Sequence, residues 1–303
     1  MRQMKDVRGK VAFITGGASG IGFGMAQAFS TAGMKVVIAD IRQDHLDEAM
    51  GHFNARGDAV HAIRVDVTDR KAMAAAADET ERVFGKVHIV CNNAGINLFN
   101  DIANATYDDW DWILGVNLGG VVNGVQTFVP RIRKHGEGGH IVNTASMASF
   151  ISGPSAGIYT CSKFAVRGLS EAMRYSLAPH DIGVSVLCPG LVDSQIYESD
   201  KIRPSHLSTT SGPSDPQFMA RLANLHHEAG MQPLEVGAKV LRAIQRKDFY
   251  IFTHPEFKEE LREIFEEALS ALPDEPPHAA RLAFEERRRA LKAKAQESWK
   301  HNH

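Results

Sequence analysis

Short apolar runs and helical stretches alternate along most of this chain, and no other feature limits its possible folds so strongly. Lys10 to Thr15, Lys35 to Asp40, Ala59 to Val65, Val87 to Cys91, Gly139 to Thr144, Gly183 to Cys188 and Phe249 to Thr253 read as strands. Helical patterns lead up to Thr31 and cover Gln43 to Arg56, Arg70 to Phe84 and Pro233 to Arg246. Thr106 to Arg133 reads as one long helix or two, opened by Thr106 and Asp109 at capping-box spacing. Strands that are apolar almost without a break must be covered on both faces, so the expectation is an α/β fold built on a parallel sheet.

In such a sheet a ligand lies over the carboxyl ends of the strands. Thr15, Asp40, Asp66, Asn92 and Ser146 fall at or just past those ends. The first run ends in a glycine turn from Gly16 to Gly22 that opens into a helix, which gathers free backbone N–H groups and the positive end of a helix dipole at one point. That arrangement suits a pyrophosphate, although the spacing Gly-x-x-x-Gly-x-Gly differs from the common Gly-x-Gly-x-x-Gly. Asp40 lies 18 residues after Gly22, near the roughly 20 expected of an acid that binds adenosine ribose hydroxyls. A carboxylate there repels a 2′-phosphate, which favours NAD over NADP. Arg42 pulls the other way, since turned inward it could meet that phosphate.

The stretch from Ser146 to Lys163 supplies groups for proton transfer. Tyr159 and Lys163 are four residues apart, one turn along a common helix face, and Ser146 follows a strand-like run. Making a phenol of pKa about 10 a useful base near neutrality takes a shift of roughly 2 units, or about 3 kcal/mol. An ammonium about 5 Å away at an effective dielectric of about 20 supplies that much. The pattern Tyr-x-x-x-Lys recurs at Tyr197 and Lys201 in a polar stretch, read as a solvated surface pair. Asn117, among apolar residues in a helical pattern, either satisfies a backbone group or serves the site.

At 303 residues with 44% apolar and 23% charged residues, the composition is that of a soluble globular protein. A net charge of −2 gives no reason to expect nucleic acid or an anionic membrane as partner. No apolar run reads as long enough to span a bilayer and no signal segment opens the chain, so a cytoplasmic location is expected. Cys91, Cys161 and Cys188 read as buried reduced thiols, and the fourteen histidines, including His226, His227, His301 and His303, as surface residues with no metal site. Leu191 to Gln232, with Pro204, Pro213 and Pro216, is irregular and reads as a substrate lid. Beyond Pro255, Glu256 to Leu272 and Ala279 to Trp299 read as charged amphipathic helices packing on the body or on another subunit.

Jointly, the turn from Thr15 to Gly22, Asp66, the run Asn92 to Gly95, Asn117, Ser146, Tyr159, Lys163, Pro189 and Gly190 resemble the short-chain dehydrogenase/reductase family over about residues 7 to 253. The resemblance implies a Rossmann-type doubly wound sheet in a catalytic domain of residues 1–253, with the lid at about 191–232 and a helical extension at 254–303. It implies hydride transfer between NAD and an alcohol or ketone, in a homodimer or homotetramer. By position, Tyr159 is the general acid/base, Ser146 binds the substrate oxygen, Lys163 holds the nicotinamide ribose, and Asn117 anchors a water. Gly16, Ser19, Gly20, Ile21, Gly22, Asp40, Ile41, Asp66, Val67, Asn93, Ala94, Gly95, Pro189, Gly190, Val192 and Ser194 line the cofactor, with Ser194 where the family often has Thr. Patches at Arg203 to Gly212, Leu225 to Gly230 and Tyr250 to Glu256 are similar to bacterial members that oxidise the benzylic alcohol of lignin-type aryl ethers. Steroids and other large secondary alcohols fit the lid equally, and a non-catalytic dinucleotide sensor or scaffold is the competing class.

Overall fold

The computed structural model describes Met4, residues 6–208 and residues 216–301, with Pro216 and the last seven of these by backbone alone. Lid residues Thr209 to Gly212 and Pro213, and His303 of the tail, lie outside the described residues.

Seven parallel strands form one sheet in the order β3-β2-β1-β4-β5-β6-β7. They are β1 Val11–Thr15, β2 Lys35–Asp40, β3 Val60–Arg64, β4 Ile89–Asn92, β5 Gly139–Thr144, β6 Ile182–Cys188 and β7 Tyr250–Phe252. Strand residues alternate between two cores. Phe13, Val37 and Ala39 face one, and Ala12, Ile14, Val36 and Ile38 face the other. The first core is covered by α3 Arg70–Phe84, α5 Gly120–His135 and α6 Gly157–Leu177 through Met73, Phe128, Ile132 and Val166. The second is covered by α1 Gly20–Thr31, α2 Gln43–Arg56 and α8 Pro233–Arg246 through Met25, Phe29, Phe53 and Val240. This is the doubly wound parallel architecture expected from the unbroken strands. The strand order reverses between β1 and β4, which opens a crevice at their carboxyl ends.

The long helical pattern resolves into α4 Tyr107–Leu114, a π-turn over Gly115–Gly119, and α5. Thr106 and Asp109 form the capping box at its start. The π-turn joins the two helices into a 29-residue rod, Tyr107–His135, long and apolar enough by length and composition to cross a membrane. Sequence reading had found no such run. In the fold its apolar side, with Val121, Phe128 and Ile132, is spent on the sheet.

Three further expectations are corrected. The lid is more regular than its prolines suggest: it holds 3-10 turns at Ile196–Ile202 and Ser205–Leu207, then α7 Pro216–Ala229. A proline at the first helical position costs no hydrogen bond, so Pro216 starts that helix instead of breaking it. Cys161 is exposed while Cys91 and Cys188 are buried. His88, His140 and His226 are buried, each hydrogen-bonded, His226 through Nδ1 to the Val192 carbonyl at 2.9 Å. The tail forms α9 Lys258–Ser270 and α10 Ala279–His301.

Candidate active site

The crevice is a cleft of about 370 Å³ running from the glycine turn past Tyr159 and Lys163 to the lid. Its floor is set by hydrogen bonds between strand ends. Thr15 Oγ1 accepts from the backbone N–H of Asn93 at 2.9 Å and of Ala94 at 3.0 Å, while Asn93 Nδ2 donates to the Thr15 carbonyl at 3.2 Å. Thr144 Oγ1 donates to Asn93 Oδ1 at 3.1 Å, which ties β5 to the same turn.

The glycine turn fits a pyrophosphate. Gly16 has φ +59°, a conformation that side chains rarely adopt, and a Cβ at Gly22 would stand 1.9 Å from the Gly16 carbonyl oxygen. Ser19 sits at the N-cap of α1 with no side-chain cap bond, and Ser19, Gly20 and Ile21 at that helix start border the cleft. Ser194 reaches over from the lid side: a Cβ on Gly20 would be 3.1 Å from its Cβ.

At the far end of β2, Asp40 is buried yet borders the cleft. Its oxygens accept from Ala18 N at 3.3 Å and Arg42 N at 3.1 Å, which fixes the carboxylate's orientation. The Arg42 guanidinium is turned onto Asp44, so the one cation read as a candidate 2′-phosphate partner is engaged with an acid. Asp66 accepts from Thr68 N and Oγ1, both at 2.8 Å. Ile41, Val67, Ala94, Gly95, Pro189 and Ile21 also border the cleft.

Tyr159 lies in the first turn of α6. The Ser146 hydroxyl hydrogen-bonds with its phenol and draws its pKa down, but burial outweighs that and pushes it up. Ser146 itself follows β5 as the cap of a short turn, its Oγ accepting from Ala148 N at 3.1 Å. Lys163 Nζ is buried, donates to the Thr144 carbonyl at 3.0 Å and lies 5.3 Å from the centre of the Tyr159 ring. Burial lowers the Lys163 pKa to about 8. The sequence arithmetic for an acidified phenol thus left out desolvation, which opposes both charges and, at the phenol, leaves the Ser146 hydrogen bond to work against it.

Asn117 sits in the π-turn, fully buried. Its amide is spent on the Ile96 backbone, accepting from N and donating to O at 2.9 Å each, and on Ser162 Oγ at 3.0 Å. Ser162 donates to the Tyr159 carbonyl at 2.6 Å, so Asn117 braces the turn that carries the phenol. A Cβ at Gly95 would lie 3.4 Å from both Asn117 Oδ1 and Lys163 Nζ.

Some candidates stand behind the wall instead of on it. Gly22 and Asn117 are covered, the Gly190 N–H is spent on His254 Nδ1 at 3.1 Å, and Val192 is buried beside His226. Tyr197 and Lys201 do not form a solvated pair. Tyr197 is half-buried with its ring 5.5 Å from that of His226, and Lys201 pairs with Glu198 at 2.8 Å.

Sequence reasoning missed the lid's attachment. Arg203 Nη1 meets Asp109 Oδ1 at 2.7 Å with both side chains buried, its guanidinium carbon stands 4.8 Å from the Trp112 ring centre, and its Nε donates to the Leu207 carbonyl. Ser199 Oγ accepts from Asn97 N at 3.0 Å. His254 Nε2 binds the Leu191 carbonyl at 2.9 Å and, with Nδ1 on Gly190, straps the loop after β6. Only the capping-box spacing hinted at Asp109, and Arg203 and His254 stood only within patches of family resemblance, which carried no hint of these contacts. Ile96, Trp112, Ile196, Ile202 and Leu207 give the cleft an apolar wall. Among the described residues no group of His, Cys, Asp and Glu could hold a metal.

A reversed strand order, a glycine cradle, a cleft-bordering acid at the end of β2 and a Ser-Tyr-Lys cluster are the marks of a dinucleotide-binding oxidoreductase. The short chain dehydrogenase family model matches residues 10–203, and the chain belongs to that family. A relative described as C alpha-dehydrogenase of Sphingobium sp. (strain NBRC 103272 / SYK-6) is 39% identical over 285 residues, 93% of each chain. A solved short-chain dehydrogenase of Novosphingobium aromaticivorans is 45% identical, with TM-score 0.84 over 97% of this chain and 99% of its own. A family member of Burkholderia phymatum, solved in complex with NAD, is 34% identical, with TM-score 0.83 over 90% and 99%.

Proposed function

We propose that this oxidoreductase uses NAD to interconvert a bulky secondary alcohol and its ketone, with a benzylic alcohol of an aryl ether as the substrate class. The observation that carries the reading is that Tyr159, hydrogen-bonded by Ser146, and Lys163 stand at one end of a cleft whose other end holds the glycine cradle and Asp40. When bound, the nicotinamide supplies the acceptor for the hydride that leaves the carbinol carbon. Tyr159, as phenolate, takes the carbinol proton, and Ser146 holds the substrate oxygen by hydrogen bond. The Lys163 ammonium, one helical turn from Tyr159 with its Nζ 5.3 Å from the ring centre, adds positive charge beside the phenolate. Asn117 keeps the first turn of α6 in register with this geometry.

The NAD preference is supported by the orientation of Asp40, by Arg42 turned onto Asp44, and by the relative solved with NAD. The substrate class is supported by the apolar wall at Trp112, Ile196 and Leu207 and by the relative described as C alpha-dehydrogenase. A homo-oligomer in the cytoplasm, with neither nucleic acid nor membrane as partner, completes the proposal, in keeping with three free cysteines.

The test is a panel of aryl, steroid and aliphatic secondary alcohols with NAD and NADP, followed at the absorbance of the reduced nicotinamide. Aryl carbinols with NAD should turn over fastest. Asp40→Ala should shift the NADP-to-NAD affinity ratio by about tenfold, roughly 1.4 kcal/mol. Tighter NADP binding in the native chain, unmoved by Asp40→Ala, would reject the cofactor reading.

A further inference from the structure

The tail poses a physical problem that its own chain does not solve. On α9 an apolar stripe runs through Leu261, Phe265, Leu269 and on to Leu272, four or three residues apart and therefore on one face. Its first turn is docked: Phe257 and Leu261 pack on the core, and Phe265 approaches Phe150 with ring centres 6.3 Å apart. The stripe then runs off the body, leaving Leu269 and Leu272 each 66% exposed. On α10, Phe284 and Leu291 are two turns apart on one face and are 66% and 71% exposed. A helix in water draws most of its stability from a buried face, and among the described residues α10 meets its own chain mainly along α6 and the turn Ala178–His180.

Charge indicates what covers these faces. In α9 five glutamates face Lys258 and Arg262, a net −3, whereas α10 carries seven Lys and Arg against three Glu, a net +4. We infer that two copies of this chain exchange their C-terminal arms, the acidic α9 of each lying along the basic α10 of the other about a two-fold axis. Such an isologous contact uses both helices of both copies, closes on itself, and buries the apolar stripe at its centre with Glu-Arg pairs at the rim. The arms give specific form to the homo-oligomer proposed above, and the inference does not depend on the substrate or cofactor reading.

The test uses two charge-reversed full-length chains. One carries Glu263→Lys and Glu267→Lys, making both of its helices basic, and the other carries Arg287→Glu and Arg288→Glu, making both acidic or neutral. Each alone should show about half the solution mass of the native protein by light scattering while keeping its thermal midpoint and cofactor affinity. Produced together under different tags, the two should co-purify and regain the native mass, because one contact of the mixed pair joins the native basic α10 to the native acidic α9 and the other sets the introduced lysines against the introduced glutamates. Native mass in either single reversal, or no recovery in the mixture, overturns arm exchange. Recovery only when all four changes sit in one chain would assign α9 and α10 to each other within a copy, and overturns it equally. Leu269→Glu, which keeps α9 acidic, should halve the mass through the apolar stripe alone, and an unchanged mass there also counts against the proposal.

Discussion

The two walls of the cleft are built on different principles. The cofactor wall stands on strand ends of a sheet buried on both faces, with Thr15, Asn93 and Thr144 cross-bonded so that each fixes its neighbours. The lid wall is chain without sheet or long helix from Ile196 to Leu207, held by the Asp109–Arg203 pair and by Ser199 on Asn97. One wall is rigid because many weak bonds overlap, and the other is placed by two or three discrete attachments. The contrast teaches that chemistry here belongs to the sheet and access belongs to the lid.

The sharpest way to break that division is Tyr159→Phe. It should lower turnover by about a thousandfold, within the range of a lost general acid/base, and leave cofactor affinity unchanged by titration. Next comes Asp109→Ala, which strands a buried guanidinium and should cost about 3–5 kcal/mol in urea unfolding while raising substrate KM more than it lowers kcat. Removing both charges, with Asp109→Ala and Arg203→Met together, should recover part of the stability but not the KM. Were kcat to fall instead, the lid would share in the chemistry.

Acid should separate the walls. Burial holds the sheet's His140 pKa down near about 3, so the unfolded state takes up its proton first as pH falls below about 6.5. Stability contributed by neutral His140 is therefore complete above pH 6.5 and drains away toward pH 3, by up to about 1.4 kcal/mol per pH unit. For Asp109 burial works against the charge, but hydrogen bonds from Thr106 and Arg203 win and lower its pKa, so the lid's pair persists until pH drops below the carboxylate's ordinary value. At pH 5 His140→Asn should flatten the stability loss, and the lid pair should still hold, read as an unchanged difference between native and Asp109→Ala chains. The smallest effect expected is Thr106→Ala, about 1 kcal/mol from one lost cap bond, visible in the urea midpoint.

How much of this was legible follows from which signals are local. The strands announced themselves because both faces are buried, so Val36, Val37 and Ile38 are all apolar in sequence. The Tyr159 and Lys163 spacing was readable because a helix puts fourth neighbours on one face. The lid was misread where local rules have no purchase: Pro216 counted among the prolines of an irregular stretch and begins α7. Tyr197 with Lys201 looked solvated, yet the tyrosine is folded against His226. Asn117 was flagged as an amide among apolar residues, but its partners Ile96 and Ser162 lie 21 and 45 residues away.

By itself the sequence determined the layered sheet, the glycine cradle, the acid that ends β2 and the order of the proton-handling groups, because periodicity and spacing act within a turn or a strand. Only the tertiary structure decided that burial raises the Tyr159 pKa against the pull of Ser146, that Asn117 braces Tyr159, and that Arg203 finds Asp109 94 residues away. Desolvation and long-range pairing depend on what the whole chain packs around a group, and no window of neighbouring residues carries that information.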